Sequence, residues 1–503
     1  MAQAALLFFP LVGVALFAAL GPGRGTIWVT LLGYLILPSS FSIDLPGLPP
    51  YSKTEAVAVA LLLGLAVSAP RRGAGRVGPA IWALTVLAAA SFVLTWLFNT
   101  QPFVAGGGVV RPGLTIADAR SDVIGFLAAA TPLFVALRTL RYEGALSDLA
   151  RAVMAACAVY AFLGLFEMRM SPLLHYWTYG FFPHQWAQHV RGDGFRPVVY
   201  LQHGLEYGLL LLIGLLVAAG RVRAGGREGL FAVFAVVLFG GVLLLTRNLG
   251  ALMLAVLFAP LMFFSTVKMQ VRVAATVAVA VLFYPVLRGL DLVPYGSVLD
   301  LAANIDAERA ASFLTRLENE DLFLDIVAQQ PVFGWGGWAR ARPLSNEGLE
   351  YIVADGAWII KLAQYGWYGY LTFFGLLVAP LLTLWRARSR GAAVPLAAAA
   401  ALAVAVSLVN LIPNSTWSPL QWLLMGVVMT AARQAGRETT GAVDRGGIEA
   451  EPRRRGTPAF TRFPDGPPEP VARSGTSRSV PVARIQPSGM KRGRGPRTSR
   501  STS

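Results

Sequence analysis

Long apolar segments recur along this chain and restrict it to one class of fold. About 20 apolar residues in a helix cross the roughly 30 Å hydrocarbon core of a bilayer. Charged residues make up only 14% of the sequence, whereas a soluble domain carries about 25%. The apolar segments lie near residues 4–20, 26–42, 55–69, 80–98, 122–138, 150–167, 203–219, 229–246, 249–265, 271–287, 356–384, 392–412 and 418–432. The sequence therefore predicts an all-α fold, a polytopic helical membrane protein with about 12–13 transmembrane helices and one large outward-facing loop.

The basic residues of the short connections lie on one side of the predicted helices. If successive segments cross the membrane alternately, the basic connections on that side are 70–76, 138–151, 221–227, 268–272 and 386–390. The positive-inside rule places this side, and with it the C-terminal part of the chain, in the cytoplasm. The outer side then holds the large loop 288–355, which is acidic on balance, together with the connections 99–121, 168–202 and 413–417.

The composition of the chain changes after residue 433. Residues 434–503 are rich in Gly, Pro, Ser, Thr and Arg and poor in apolar side chains, so they cannot bury enough surface to fold. We therefore expect a membrane domain at 1–433 and a disordered basic cytoplasmic tail at 434–503. The charge of this tail would attract anionic membrane lipids, and its few aromatic side chains argue against nucleic acid as a partner.

The sequence offers little for a metal or redox centre. Its one cysteine, Cys157, lies inside an apolar segment, so no disulfide can form within the chain. The four histidines lack the spacing of zinc-binding motifs. We expect no metal and no cofactor, and we interpret Cys157 as a small buried apolar side chain.

Polar residues that suggest chemistry are concentrated on the predicted outer side. Arg191 and Arg196 precede a helix on which His203 and Glu206, three residues apart, share a face. The alternative is that these two arginines are ordinary loop charges. Arg247 lies in a tight turn between two apolar segments, where a charge is costly unless it is paired or faces a polar cavity. The alternative is that Arg247 extends to the lipid headgroups.

Two further polar groups flank the end of the large outer loop. Arg316 stands one helical turn before Glu320, and the two could form a solvent-exposed pair. Asp355 stands at the head of an apolar helix, and Lys361 lies about 9 Å further along it. The alternatives are that Asp355 merely caps this helix and that Lys361 extends to the headgroups.

Together these residues suggest a site for a phosphorylated lipid. The planar fork of an arginine guanidinium matches the oxygens of a phosphate group. A nearby carboxylate can act as a general base towards a hydroxyl group. Cations for a diphosphate and a base for an acceptor suit glycosyl transfer from a lipid diphosphate.

Four ordered motifs give the chain a resemblance to a known family. They are Arg-Gly-Asp-Gly-Phe-Arg at 191–196, Thr-Arg at 246–247, Pro-Val-Phe-Gly-Trp-Gly at 331–336, and the run at 355–369 that begins Asp-Gly-Ala-Trp. In this order, after a preceding run of apolar segments, they resemble the O-antigen ligase and O-antigen polymerase superfamily of bacterial envelope proteins. The resemblance covers roughly residues 120–433.

The resemblance implies a membrane glycosyltransferase that needs no metal. Its substrate would be a glycan on a polyprenyl diphosphate at the outer face of the bacterial cytoplasmic (inner) membrane. Ligases of the family place a histidine where this chain has Asp355 and an asparagine where it has Gly356. Either Asp355 replaces the histidine as the base or the protein is a polymerase, and we expect polymerisation or transfer of an exopolysaccharide. Carried over by position, the diphosphate-binding residues are Arg191, Arg196, Arg247 and Arg316, the catalytic residue is Asp355, and the supporting residues are His203, Glu206 and Lys361.

Two other functions remain open. A transporter or flippase for lipid-linked glycans would show inverted repeats and charged residues near the bilayer midplane on broken helices. No repeat is visible in the sequence, and only Lys361 lies away from the outer face. A non-catalytic subunit that works with other polysaccharide-assembly proteins is the third reading.

Overall fold

A computed structural model describes residues 1–448 apart from 46–47, 69–77, 143, 192–193, 227, 294, 297–299, 301–302, 305–306, 338–339, 346, 350–354 and 389–393. Within this part the chain is built from helices. They are α1 Ala2–Ile36, α2 Lys53–Val67, α3 Pro79–Phe98, α4 Ile116–Thr139, α5 Ala145–Met170, α6 Leu174–Tyr179, α7 Gly204–Ala224, α8 Gly229–Leu245, α9 Leu249–Phe264, α10 Val267–Leu282, α11 Tyr284–Gly289, α12 Ala307–Gln329, α13 Ala357–Arg388, α14 Pro395–Asn410 and α15 Pro419–Ile448.

Two short antiparallel hairpins interrupt the helices at the connections. Strand β1, Phe103–Val104, pairs with β2, Val110–Arg111. Strand β3, Val190–Arg191, pairs with β4, Gly194–Phe195. Both hairpins lie in connections that the sequence assigns to the outer side.

The helices confirm the predicted fold class, an all-α polytopic membrane protein. Six helices in the described part are long and apolar enough to cross a bilayer: α1, α3, α4, α5, α7 and α13. Three shorter apolar helices, α8, α9 and α14, run for 10–17 residues. Each of the thirteen predicted segments overlaps a described helix, and 271–287 covers both α10 and α11. The number of membrane crossings stays a prediction.

The first two predicted segments form the two halves of α1, which folds back on itself at Gly21. This glycine has non-helical angles, φ 76° and ψ 168°. A Cβ on Gly25 would lie 2.9 Å from the Cα of Phe17, and one on Gly33 would lie 2.9 Å from the ring of Phe9. A straight helix would separate residues 17 and 25 by about 12 Å. The two halves of α1 are therefore antiparallel, as two successive membrane crossings require.

The centre of the bundle is formed by α7 and α14, which are buried almost throughout. Both helices carry small residues that let their backbones approach closely. A Cβ on Gly220 of α7 would lie only 2.5 Å from the Cβ of Ala399 of α14. Cys157 packs here, with its thiol 3.6 Å from the carbonyl of Leu210, which agrees with its interpretation as a buried apolar side chain.

Ion pairs join the predicted cytoplasmic connections at one end of the bundle. Asp148 pairs with Arg24 at 2.8 Å and with Arg151 at 2.7 Å. Glu228 pairs with Arg151 at 3.3 Å and with Arg221 at 3.0 Å. The connections α4–α5 and α7–α8 and the bend of α1 therefore meet, as the charge pattern predicts for one membrane face.

Helix α13 is broken at Gly366, where φ is 62° and ψ is −169°. The segment 331–336 fills the break with backbone hydrogen bonds. The N–H groups of Trp335 and Gly336 donate to the carbonyls of residues 363 and 364, at 3.0 and 2.8 Å. The N–H groups of Trp367 and Tyr368 donate to the carbonyls of residues 331 and 332, at 2.7 and 3.1 Å. The outer loop therefore satisfies the backbone groups that the break would otherwise leave unpaired.

The end of α15 differs from the predicted domain boundary. The sequence places the start of a disordered tail at 434, yet the helix continues to Ile448. The apolar pattern stops near residue 433, but the following residues include no proline and several good helix formers, so the backbone can continue in a polar helix. The remainder of the predicted tail, 449–503, lies outside the described residues.

Candidate functional site

A polar cavity of about 620 Å³ lies at the end of the bundle opposite the ion pairs. Helix α7 begins at this cavity with Glu206 and ends at the ion pairs with Arg221. The cavity is lined by His184, Gln188, Arg196, Gln202, His203, Leu205, Glu206, Leu209, Arg316, Asp355, Asn410, Asn414, Ser415, Thr416 and Gln421. Every lining segment belongs to the side that the sequence assigns to the exterior.

Five of the residues predicted as site residues line this one cavity: Arg196, His203, Glu206, Arg316 and Asp355. They come from the α6–α7 connection, the first turn of α7, the middle of α12 and the residue pair before α13. The fold thus brings cationic, imidazole and carboxylate groups from distant parts of the sequence to a common space.

Arg316 and Asp355 form an ion pair within the cavity. The Arg316 Nη2 atom lies 3.2 Å from the Asp355 Oδ2 atom, and the side chains are 43% and 41% exposed. The contact bears on two alternatives raised by the sequence, an exposed Arg316–Glu320 pair and a purely capping role for Asp355. Arg316 pairs with Asp355 across the sequence, and Asp355 engages a cation in addition to its place just before the helix.

The position of Asp355 is fixed by the backbone next to it. The N–H of Ala357 donates to the carbonyls of Leu411 and Asn414 in the α14–α15 connection, at 2.9 and 3.0 Å. A Cβ on Gly356 would lie 2.2 Å from the carbonyl oxygen of Ile412. Only glycine fits at this position. This close approach gives a physical reason for Gly356, where the ligases that the sequence resembles carry asparagine.

Glu320 lies one helical turn after Arg316 and is partly buried. The indole N–H of Trp358 donates to its Oε1 at 3.2 Å, while its Oε2 is buried and accepts no hydrogen bond in the described part of the chain. Burial raises the pKa of the Glu320 carboxyl to about 7, because the ionised form loses its hydration. A titratable group thus stands one helical turn from Arg316 and contacts Trp358 in the first turn of α13.

Arg196 is buried at the cavity wall, and Arg247 lies next to it. The Arg196 Nη2 atom donates to the carbonyl of Arg247 at 3.4 Å. Arg247 has a left-handed backbone, φ 54°, and its guanidinium approaches Gly194 of the β3–β4 hairpin. Its side chain is exposed and is not among the cavity-lining residues. Arg191 belongs to β3, and its side chain lies outside the described part.

His203 and Glu206 are held by backbone donors at the start of α7. The N–H of Leu205 donates to His203 Nδ1 at 3.0 Å, and the N–H of Gln202 donates to Glu206 Oε2 at 3.0 Å. The carboxylate of Glu206 also interacts with the hydroxyl of the buried Tyr34 and with the ammonium of Lys53. The sequence analysis missed Lys53 and Tyr34, which come from α2 and α1.

Three imidazole rings cluster beside the cavity. The ring centroid of His203 lies 4.8 Å from those of both His184 and His189. His189 has both nitrogens engaged, at 3.2 Å to the Gln185 carbonyl and 3.4 Å from the Gly204 N–H. Among the described residues, no group of His, Cys, Asp or Glu has an arrangement that could hold a metal ion.

Lys361 lies apart from the cavity, although the sequence suggests it as a supporting residue. Its ammonium packs against the rings of Tyr365 and Phe373, at 5.0 and 5.4 Å from their centroids. The Tyr365 hydroxyl donates to Asp122 at 3.1 Å, and Asp122 attracts Lys361 electrostatically. Lys361 therefore belongs to a separate polar cluster between α4 and the first half of α13.

The cavity also has an uncharged wall that the sequence analysis did not single out. It is formed by the α14–α15 connection and the first turn of α15, through Asn410, Asn414, Ser415, Thr416 and Gln421. The available signal was the polar run Pro-Asn-Ser-Thr between two apolar segments on the predicted outer side.

In comparisons with known proteins, no protein-family model matches this chain and no curated protein matches it. The resemblance to the O-antigen ligase and polymerase superfamily stays a prediction from the ordered motifs in the sequence.

Proposed function

We propose that this protein is a membrane glycosyltransferase that transfers or polymerises a glycan carried on a polyprenyl diphosphate. The reaction takes place at the outer face of the bacterial cytoplasmic membrane, and the C-terminal end of α15 faces the cytoplasm. The observation that carries the proposal is the joint lining of one polar cavity by Arg196, Arg316 and Asp355.

The charges around the cavity suit an anionic headgroup. Arg196 and Arg316 supply two guanidinium groups, each able to donate paired hydrogen bonds to phosphate oxygens. The carboxylate of Glu206 is already offset by the nearby Lys53. A hydrogen bond to a charged group contributes about 1.5–3 kcal/mol, so two guanidinium forks are enough to hold a diphosphate.

In the proposed mechanism, substrate binding frees the base. Arg316 pairs with Asp355 at 3.2 Å, and an incoming diphosphate competes for the same guanidinium. When Arg316 turns to the phosphate oxygens, an oxygen of Asp355 becomes available to accept the proton of an acceptor hydroxyl. The guanidinium then lies where charge develops on the departing diphosphate.

The bonds balance without any further reactant. The acceptor oxygen forms a bond to the anomeric carbon of the glycan, and the bond from that carbon to the diphosphate oxygen breaks. The electron pair leaves with the polyprenyl diphosphate, and the acceptor proton passes to Asp355 and then to solvent. If the acceptor is another lipid-linked glycan the product is a polymer, and if it is a different envelope molecule the product is a ligated glycan.

One observation favours a second candidate, a transporter or flippase for lipid-linked glycans. Helix α13 is broken, and Lys361 is held near Asp122 between helices, as in transporters with discontinuous helices. However, the backbone groups at the break form hydrogen bonds with the segment 331–336, so fewer unpaired backbone groups are available to bind a substrate. The polar cavity lies at one end of the bundle, which suits a reaction at one membrane face.

The test is deletion of the protein followed by analysis of lipid-linked intermediates. Single repeat units that accumulate on the carrier indicate a lost polymerase, and long polymer on the carrier indicates a lost ligase. Accumulation confined to the inner leaflet would contradict the proposal in favour of the flippase.

Point variants then assign the reaction to the cavity. Arg316→Ala and Asp355→Asn are expected to reproduce the deletion at normal protein levels. Arg120→Ala and Asp325→Asn are the matched controls, because both side chains are exposed and neither lines the cavity. Wild-type glycan from both cavity variants would contradict the proposed site.

A further inference from the structure

The uncharged wall of the cavity differs chemically from the wall that carries the arginines. We call it the amide–hydroxyl wall, and it consists of Asn410, Asn414, Ser415, Thr416 and Gln421. Its side chains offer three amides and two hydroxyl groups, which both donate and accept hydrogen bonds. The cationic wall, in contrast, presents Arg196 and Arg316.

Gln421 is the most constrained member of the amide–hydroxyl wall. It is only 2% exposed, yet it lines the cavity. Its Oε1 accepts hydrogen bonds from both the N–H of Ser418, at 2.8 Å, and the Ser418 hydroxyl. These two donors fix the orientation of the amide, so that the Nε2 group is left to face the cavity. Within the described residues this Nε2 group donates no hydrogen bond and is not among the fully enclosed unpaired atoms, so it stays accessible to a ligand in the cavity.

The other members of the wall leave complementary groups available. Asn414 Nδ2 donates to Asn410 Oδ1 at 2.9 Å, so Asn414 presents its oxygen and Asn410 its remaining N–H groups. The hydroxyls of Ser415 and Thr416 form no side-chain hydrogen bond in the described part of the chain. The wall therefore offers both donors and acceptors, with no net charge.

We propose that the amide–hydroxyl wall binds the hydroxyl groups of the sugar ring next to the diphosphate. A sugar hydroxyl both donates and accepts, as the wall does. A phosphate group only accepts when ionised and would not pair with Asn414 Oδ1, and an isoprenoid chain would leave the buried Gln421 amide unsatisfied. This inference rests on the proposed function and adds the part of the site that holds the glycan.

The wall is rigidly joined to the residue that we assign as the base. The N–H of Ala357 donates to the carbonyls of Leu411 and Asn414, and Gly356 contacts the Ile412 carbonyl closely. A sugar held by the amide–hydroxyl wall thus keeps a fixed position relative to Asp355. Such pre-set geometry is what an oriented transfer reaction requires.

The experiment compares ligands with and without a sugar. Binding of farnesyl diphosphate to the purified protein is measured alongside farnesyl diphosphates that carry glucose, galactose or N-acetylglucosamine. The variants are Gln421→Met, which keeps the side-chain volume, and Thr416→Val, which replaces one hydroxyl at a partly exposed turn. Arg316→Ala is the contrasting variant in the cationic wall.

We expect each wall variant to weaken at least one glycosylated ligand by about fivefold, the effect of one lost neutral hydrogen bond. Binding of plain farnesyl diphosphate should stay within about twofold of wild type. Arg316→Ala should weaken all four ligands. Thr416→Val keeps the test decisive if Gln421→Met does not fold.

Three results would overturn the inference. If the wall variants weaken plain and glycosylated ligands equally, the wall does not distinguish the sugar. If they weaken neither, it makes no contact with ligand. If the wild-type protein binds no diphosphate at all, the proposed function itself fails and the sugar subsite fails with it, whereas the first two results leave the diphosphate site intact.

Discussion

Replacement of Arg316 by alanine should greatly reduce the transfer rate while changing the stability of the fold very little. The Arg316–Asp355 pair is nearly half exposed, and such pairs contribute only about 0–1 kcal/mol to folding. We therefore expect the free energy of unfolding to fall by less than about 1 kcal/mol. Unfolding followed through the intrinsic fluorescence of the 12 tryptophans should detect little change.

The effect of Arg316→Ala on transfer should be much larger. If the guanidinium holds the diphosphate, the variant loses a charged hydrogen-bond fork worth about 3 kcal/mol, which corresponds to roughly a 100-fold fall in rate. Arg316→Lys keeps the charge but loses the planar fork, so its transfer rate should lie between those of the wild type and Arg316→Ala. The assay is release of polyprenyl diphosphate from a lipid-linked glycan in proteoliposomes.

The Asp355→Asn variant tests whether this carboxylate competes with the ligand for Arg316. In Asp355→Asn the carboxylate no longer competes for Arg316, so farnesyl diphosphate should bind as tightly as to wild type or more tightly, while transfer is lost. Weaker binding by Asp355→Asn would show that the two side chains do not compete for the ligand. Unchanged binding by Arg316→Ala would remove Arg316 from the diphosphate site.

Three further predictions address other parts of the structure. Glu320→Gln should reduce the pH dependence of stability. Burial raises the pKa of Glu320 to about 7, above its ordinary 4.5, so this carboxyl makes wild-type stability decline from about pH 4.5 to 7, where the unfolded chain is ionised and the folded one still protonated. Chemical unfolding over this range should show a smaller decline in the variant than in wild type, and equal declines would contradict the prediction. Gly366→Ala should destabilise the fold by more than about 2 kcal/mol, because φ is 62° and the new Cβ would lie 2.3 Å from the Val332 carbonyl oxygen. Gly240→Ala is the control, since a Cβ there would meet nothing within 4 Å. Equal losses of thermal stability in the two variants would contradict the prediction. Lys361→Met should retain glycan transfer in the same proteoliposome assay, because Lys361 lies outside the cavity; loss of transfer with an intact fold would favour the transporter reading.

Most of the fold could be predicted from the sequence because a membrane helix requires a long uninterrupted apolar segment. Even the two halves of α1 were separable, since Gly21 and Pro22 interrupt an apolar run that is too long for one crossing. The break in α13 was not predicted. It depends on backbone hydrogen bonds between residues 331–336 and the helix, and such pairing over long sequence separation leaves no periodic signal.

The site was only partly predictable, for reasons that differ between residues. Arg196, Arg316 and Asp355 stood out because they are charged residues on the predicted outer side. Lys361 stood out because it is a charge within an apolar helix, but it lies away from the cavity, since the sequence does not show which neighbour a helix face meets. Gln421 went unnoticed because an uncharged polar residue near a helix start is common, and its importance appears only from its burial.

The hydrogen bonds across the break in α13 have a mechanical consequence. To lift the segment 331–336 away from the helix, the protein must separate four N–H···O=C pairs. At about 1 kcal/mol each this detached form would be populated roughly once in a thousand molecules. The segment 331–336 therefore ties together the two halves of α13 on either side of Gly366, and we expect the segment and the helix to move as one unit. Two fluorescent probes, one on each element, should keep a constant spacing throughout turnover.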